Sequence, residues 1–153
     1  MRYSIDSSSL IRGWREVYPF EHFSSLWTRD LPGLIEKGVL RASEEIRIEL
    51  SRQDDELLAW AEEYPDLFVP IDEATQFEVK DILAAHSSLV ERAGARRSGG
   101  DAFVIALARL NGCAVVTEEA SKPTQPRIPD VCEALGVPCV RFVTLIREEN
   151  FQY

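Results

Sequence analysis

The chain has 153 residues, 45% of them hydrophobic, which is enough for one core and too few for two. Its 26 acidic residues outnumber its 17 basic residues, and the net charge of −9 should repel nucleic acids and anionic membranes unless a local basic patch or bound cations intervene. No apolar run approaches the roughly 20 residues of a membrane span, and no signal-peptide core follows Met1, so we expect a cytoplasmic protein.

Strand and helix patterns alternate along the chain. Apolar runs predict strands at residues 3–5, 39–40, 113–116 and 139–142, with a minor strand or extended connection at 67–69. Helical periodicity predicts helices at residues 10–17, 20–37, 43–50, 54–63, 73–92, 101–110, 128–135 and near the carboxyl terminus. This alternation is typical of right-handed βαβ crossovers, so we predict one α/β domain over residues 1–153 with a mostly parallel sheet.

Several helices carry more detailed predictions. Pro32 should break or kink the helix at 20–37. Phe77 should face inward with the other apolar residues of the helix at 73–92. The helix at 101–110 is apolar nearly all round, so it should be the most buried helix of the domain.

The aromatic and sulfur-containing residues favour structural roles. Three tryptophans fall at helical spacing among apolar residues, which favours packing in the core or at an interface over base stacking; they are Trp14, Trp27 and Trp60. The cysteines share no CxxC spacing and lie in apolar surroundings, so we expect buried reduced thiols at Cys113, Cys132 and Cys139.

Four carboxylates lie in equivalent places relative to the predicted strands. Asp6 follows the first strand, and Glu49 lies in the helix after the second. Asp101 opens the most buried helix, and Glu119 lies just beyond the strand at 113–116. In an open parallel sheet these places share one edge, where ligands bind. Clustered carboxylates repel one another unless a cation neutralises them, and oxygen ligands suit Mg²⁺ or Mn²⁺. Such a metal can activate water and clamp a phosphodiester.

Four segments resemble, in order and spacing, the signature blocks of PIN-domain nucleases. They are Asp6-Ser7-Ser8, Ile46-Arg-Ile-Glu49-Leu50, Asp101-Ala-Phe-Val-Ile-Ala-Leu-Ala108 and Val115-Val-Thr117-Glu-Glu119. The chain looks closest to a bacterial PIN-like family of unknown function that is similar to VapC toxins, with a matching segment at residues 128–132. The resemblance implies a three-layer α/β/α fold, Mg²⁺- or Mn²⁺-dependent cleavage of RNA, an antitoxin encoded alongside and, in many members, a homodimer.

Carried over residue by residue, the resemblance implies roles for six positions. Asp6, Glu49 and Asp101 match the acids of the family pattern and would be metal ligands and catalytic residues. Ser8 and Thr117 match its hydroxyl positions and would orient a water or a ligand carboxylate. The fourth acid of the family is usually Asp in Thr-x-Asp, whereas this chain has Glu119, which is one methylene longer. Glu119 could still reach a metal, directly or through water, and would complete the set of metal ligands and catalytic residues.

Each acid also has a structural interpretation. Asp6 could only cap a helix, and Asp101 could only favour the positive end of its helix. Glu49, Glu118 and Glu119 could be solvated. Asp130 is expected to be a helix cap, with an outer position in the site as the alternative.

Basic residues near the acids suggest a phosphate-binding patch. Arg96 and Arg97 lie on a glycine-bounded loop just before Asp101, where their guanidinium groups could hold an RNA backbone. Arg12 and Arg15 could extend the patch or meet an acidic partner.

These observations support one leading hypothesis and two alternatives. The leading hypothesis is a metal-dependent endoribonuclease, the toxin of a toxin–antitoxin pair. The first alternative is a PIN-like module with a weak or inactive site that acts by binding a partner protein. The second is a receiver-like or phosphatase-like domain phosphorylated on Asp6, which is disfavoured because Asp6-Ser-Ser8 lacks a second aspartate.

Overall fold

A parallel sheet runs through the molecule. The structure is a computed structural model that describes residues 1–89 and 100–153. Within these residues the strands are β1 (Tyr3–Ile5), β2 (Leu40–Ser43), β3 (Phe68–Val69), β4 (Ala114–Val116) and β5 (Cys139–Val140). They lie in the order β3-β2-β1-β4-β5, and each neighbouring pair is parallel.

Helices connect these strands along the chain. They are α1 (Ser7–Arg12), α2 (Leu31–Glu36), α3 (Glu44–Gln53), α4 (Asp55–Glu62), α5 (Glu73–Ala85), α6 (Gly100–Asn111), α7 (Ile128–Leu135) and α8 (Phe142–Glu148). The described residues also contain two π-helical turns, Gly13–Val17 and Leu26–Asp30, and a 3₁₀ turn, Pro65–Leu67. With right-handed crossovers, the strand order places α1 to α4 on one face and α5 to α7 on the other. The predicted α/β class with a parallel central sheet is confirmed, and the arrangement is consistent with three α/β/α layers.

Side-chain caps decide where several helices begin. The carboxylate of Asp6 accepts a hydrogen bond from the Ser9 amide at 2.9 Å, so α1 starts at Ser7 instead of near Leu10. Its α-helical part ends at Arg12 and continues as a π-helical turn to Val17. Ser43 caps α3 as its position in the sequence predicts.

The segment before β2 differs from the predicted helix at 20–37. The regular part of this segment is a π-helical turn followed by α2. The π-helical turn Leu26–Asp30 runs directly into α2, and Pro32 is the second residue of α2. The predicted break or kink at Pro32 stays a prediction.

The prediction that Phe77 faces inward is wrong. The buried positions of α5 are Thr75, Val79 and Ile82, and Phe77 is 61% exposed. Two residues advance a helix by about 200°, so Phe77 lies opposite the stripe that starts at Thr75. The helix also ends at Ala85 rather than Arg92, and a separate helical turn follows at residues 87–89.

The core contains most of the residues expected there. Trp27 and Trp60 are buried, Trp14 is partly buried against them, and α6 is buried along most of its length. All three cysteines are free thiols; Cys113 and Cys132 are buried, and Cys139 is only partly buried. No helix among residues 1–89 and 100–153 has the length and apolar character needed to cross a membrane.

Candidate functional site

A cleft of about 820 Å³ opens where the strand order reverses beside β1. The chain runs from β1 to β2 on one side and later returns to β4 on the other. In open α/β sheets this reversal leaves a crevice at the carboxyl ends of the strands, and ligands bind there. The four predicted acids all line this cleft: Asp6, Glu49, Asp101 and Glu119.

Asp6 is a nearly buried acid at the end of β1. Its amide donates to Val116 O at 3.0 Å, which extends the pairing of β1 with β4. One carboxylate oxygen caps α1, and the other accepts hydrogen bonds from Ser8 Oγ at 2.7 Å and Thr117 Oγ1 at 2.6 Å. Asp6 is only 4% exposed, and burial raises its pKa to about 6 although these hydrogen bonds act in the opposite direction. A cation in the cleft would therefore favour its ionised form.

Ser8 and Thr117 hold the loop after β4 against the start of α1. Ser8 Oγ accepts a hydrogen bond from the Glu118 amide, and Thr117 Oγ1 accepts one from the Glu119 amide, both at 3.1 Å. Because both hydroxyls also donate to Asp6, its carboxylate is oriented by residues from two separate parts of the chain. This geometry fits the predicted orientation of a ligand carboxylate by the two hydroxyls.

Glu49 connects three helices. Its side chain projects from α3 and accepts hydrogen bonds from Ser7 Oγ at 2.5 Å and from the Gly100 amide at 3.1 Å. A Cβ atom at Gly100 would lie 2.2 Å from Glu49 Oε1, so any side chain at this position would displace the carboxylate. The next residue, Asp101, is half-buried and lines the cleft. Ser7 and Gly100 were not predicted from the sequence as partners of Glu49.

Glu119 and Asp130 have different positions. Glu119 lines the cleft, and its carboxylate accepts a hydrogen bond from the Ile128 amide at 3.2 Å, at the start of α7. Asp130 accepts from the amides of Arg127 and Lys122, each at 2.9 Å, and is not a lining residue. These contacts support the expected helix-cap interpretation of Asp130 over the outer position in the site.

Glu118 is a further buried acid at the rim of the cleft. Its side chain is 7% exposed, although the sequence offers solvation as one interpretation. It accepts hydrogen bonds from the Phe142 amide at 2.8 Å and Arg141 Nη2 at 2.7 Å, and it lies 3.6 Å from Arg12 Nη1. Arg141 supplies no side-chain cap to α8, so the distant Glu118 performs this role. No local sequence pattern could have indicated the contact.

Replacing Glu118 with alanine is expected to lower the free energy of unfolding by about 1–3 kcal/mol, because the Phe142 amide and Arg141 lose a shared acceptor. Urea unfolding would measure the change. Glu62→Ala is the control, because Glu62 also pairs with an arginine, at 2.9 Å, but is 45% exposed. Its loss should cost less than about 0.5 kcal/mol. Equal effects of the two changes would contradict the role assigned to Glu118.

The carboxylate oxygens of the cleft are of the type that binds hard cations, but the described side chains are not grouped as a set of metal ligands. Among residues 1–89 and 100–153, no three histidine, cysteine, aspartate or glutamate residues are grouped so that they could hold a metal ion. Asp6, Glu49 and Glu119 accept hydrogen bonds from the chain itself. Carboxylates nevertheless suit Mg²⁺ or Mn²⁺, and the buried charge of Asp6 favours a cation. The predicted metal site stays a prediction.

Arginines line the same cleft as the acids. Arg96 and Arg97, the predicted phosphate patch, lie outside the described residues. The arginines that the structure places at the cleft are Arg12, Arg15, Arg52 and Arg127. Arg12 and Arg15 were candidates for extending the patch, whereas Arg52 and Arg127 were not singled out from the sequence.

The chain matches the sequence model of a protein family over nearly its whole length. This sequence model covers residues 3–153 and is described as "Domain of unknown function (DUF4411)". No curated protein matches the chain. The family description names no activity, so the resemblance to PIN-domain nucleases stays a prediction.

Proposed function

The chain belongs to the DUF4411 family, and we propose that it is a metal-dependent endoribonuclease of PIN-like fold, the toxin of a toxin–antitoxin pair. One observation carries this proposal. Four acids that are far apart in the sequence line a single cleft at the reversal of the sheet: Asp6, Glu49, Asp101 and Glu119. Carboxylates in such a crevice are well placed to act on a bound substrate.

The proposed metal ligands are these same four acids. A bound Mg²⁺ or Mn²⁺ would supply activation of water and neutralisation of phosphodiester charge. The chain's own contribution is to orient the ligands before substrate arrives. Ser8 and Thr117 fix the carboxylate of Asp6, and Ser7 and the Gly100 amide fix that of Glu49. Because these carboxylates are already oriented, they need not rearrange during the reaction.

Asp101→Asn is the variant that tests the proposal. Asparagine keeps the size of the side chain and removes its charge, so metal-dependent cleavage of a mixed structured RNA should fall at least 100-fold, on the order of losing one strong electrostatic contact in a transition state. Cleavage should be measured by gel in Mn²⁺, Mg²⁺ and EDTA. Asp81→Asn is the control, because Asp81 is exposed on α5 and does not line the cleft.

Metal binding gives a readout that does not depend on catalysis. A cation at 100 times its dissociation constant should stabilise the wild type by about 2.7 kcal/mol, measured by thermal unfolding with and without EDTA. The stabilisation should be smaller in Asp101→Asn and unchanged in Asp81→Asn. If Asp101→Asn changes neither metal binding nor cleavage, the proposed nuclease is wrong.

The toxin assignment has its own test in cells. Induced expression of the wild type should arrest growth of a bacterial host, and Asp101→Asn should not. Growth should recover when the product of a neighbouring gene is expressed together with the wild type. Arrest that persists in Asp101→Asn would separate toxicity from cleavage and contradict the proposal.

A binding module without catalytic activity is the second candidate. It is favoured by Glu119 in the place of the usual aspartate and by the lack of a grouped metal-ligand set among residues 1–89 and 100–153. A wild-type protein that binds the neighbouring gene product tightly but cuts RNA in neither Mn²⁺ nor Mg²⁺ would support this candidate over the nuclease.

A further inference from the structure

We infer that Arg12 binds a phosphodiester group of RNA and that the cleft recognises the RNA backbone instead of the bases. This inference rests on the proposed function, because it assumes that RNA is the ligand of the cleft.

The charges of the cleft suggest how a polyanion can approach an acidic protein. The net charge of the chain is −9, and six of the described residues that line the cleft are acidic, so a polyanion can approach only when bound cations offset these acids. Four arginines share its lining, and they are Arg12, Arg15, Arg52 and Arg127. An RNA strand that crosses the acids could place neighbouring phosphates against this cationic set.

Arg12 and Arg15 differ in how firmly the protein holds them. Arg15 donates to Asp54 Oδ2 at 2.7 Å and to Gln53 O at 2.6 Å, so it braces the π-helical turn after α1 against the junction of α3 and α4. The guanidinium of Arg12 lies 3.3 Å from Glu16 and 3.6 Å from Glu118. Both distances exceed the 2.7–2.9 Å that is usual for charge-assisted hydrogen bonds.

The position of Arg12 also suits a phosphate contact. Its side chain is 46% exposed, so a ligand can reach it from solvent. Arg12 ends α1, six residues beyond Asp6, which corresponds to about 9 Å along a helix axis. A phosphate at Arg12 would replace two long ion pairs with a short bidentate contact.

The lining explains why the bases should matter little. Of the described residues that line the cleft, Ile11 is the only apolar one, and none is aromatic. Proteins that hold the bases of single strands usually stack them on aromatic side chains. Contacts made by arginine to phosphates are independent of sequence and weaken as salt rises.

Fluorescence anisotropy of labelled single-stranded RNA tests the inference. Oligouridine and oligoadenine should be titrated with the full chain in Ca²⁺, and a gel should verify that the RNA stays intact. Arg12→Gln should weaken binding of both RNAs roughly tenfold, the effect of one strong charged contact. It should also reduce the slope of log affinity against log salt by about 0.7. Arg12→Lys, which keeps the charge, should recover part of the affinity.

Arg47→Gln is the matched control. Arg47 is also 46% exposed and pairs with two glutamates, Glu44 at 3.6 Å and Glu62 at 2.9 Å, but it lines a different cavity. Its replacement removes the same charge and should leave RNA affinity within twofold of the wild type. Thermal unfolding of each variant should verify that it is folded.

The possible outcomes separate this inference from the proposed function. Absence of RNA binding by the wild type, or Arg12→Gln affinity within twofold of the wild type, would overturn the inference. A loss confined to one base composition would overturn recognition of the backbone. If Arg12→Gln weakens binding but no metal supports cleavage by the wild type, the nuclease proposal fails and the assignment of Arg12 stands.

Discussion

Replacement of Gly100 with alanine is expected to reduce RNA cleavage about 100-fold while the protein remains folded. The added methyl group would lie 2.2 Å from Glu49 Oε1 and 2.7 Å from its carboxyl carbon, so Glu49 must move. That movement breaks its hydrogen bond with the Gly100 amide and disturbs the one with Ser7 Oγ. Displacement of a positioned catalytic group by about 1 Å can cost 100-fold in rate. Single-turnover cleavage in Mn²⁺ would measure the loss.

Gly33→Ala is the matched control for this change. Gly33 lies in α2, and a Cβ atom there would meet nothing within 4 Å. Alanine is the better helix former, so the free energy of unfolding should rise by about 0.5–1 kcal/mol, with cleavage unchanged. Full activity in Gly100→Ala would show that the position of Glu49 is unimportant for the reaction.

Trp27→Ala should have the largest effect on stability, a loss of about 3–5 kcal/mol in the free energy of unfolding. Trp27 is fully buried, and its ring lies 5.0 Å from that of Trp14 and 5.1 Å from that of Trp60. Its indole nitrogen donates to Tyr18 O at 2.7 Å, and its own carbonyl accepts from Trp60 Nε1 at 2.6 Å. Truncation therefore leaves a cavity and an unpaired carbonyl at Tyr18.

Urea unfolding followed by circular dichroism would measure this loss. Phe77→Ala is the control, because Phe77 is large and aromatic but 61% exposed. Its removal should change the free energy of unfolding by less than about 0.5 kcal/mol. A loss below about 1 kcal/mol in Trp27→Ala would contradict the packing described for the aromatic cluster of Trp14, Trp27 and Trp60.

Several separate elements hold the acids of the cleft in position. Asp6 is held from α1 and from the residue after β4, and Glu49 is held from the first residues of α1 and α6. Glu118 links the same region to the start of α8. A change in any of these elements should therefore reach the acids through hydrogen bonds, even when the altered residue does not line the cleft.

Sequence patterns alone were enough to predict the class of fold and the four acids of the candidate site. Periodicity and caps depend on neighbours within about four residues, so β1, the start of α3 at Ser43 and the whole of α7 follow from local sequence. The sequence also showed that Asp6 directly follows a strand. Because parallel strands end at a common edge of the sheet, this position indicated a site there.

Tertiary structure alone decided which neighbours those residues meet. Thr117 lies 111 residues from its partner Asp6, and Glu118 lies 24 residues from the amide that it caps. The same limit explains Phe77, whose apolar character suggested burial, because the face of α5 that contacts α6 depends on packing across the domain. The burial of a side chain and its hydrogen-bond partners depend on contacts between segments that are distant in the sequence. A local sequence pattern does not indicate which distant segment will pack against it.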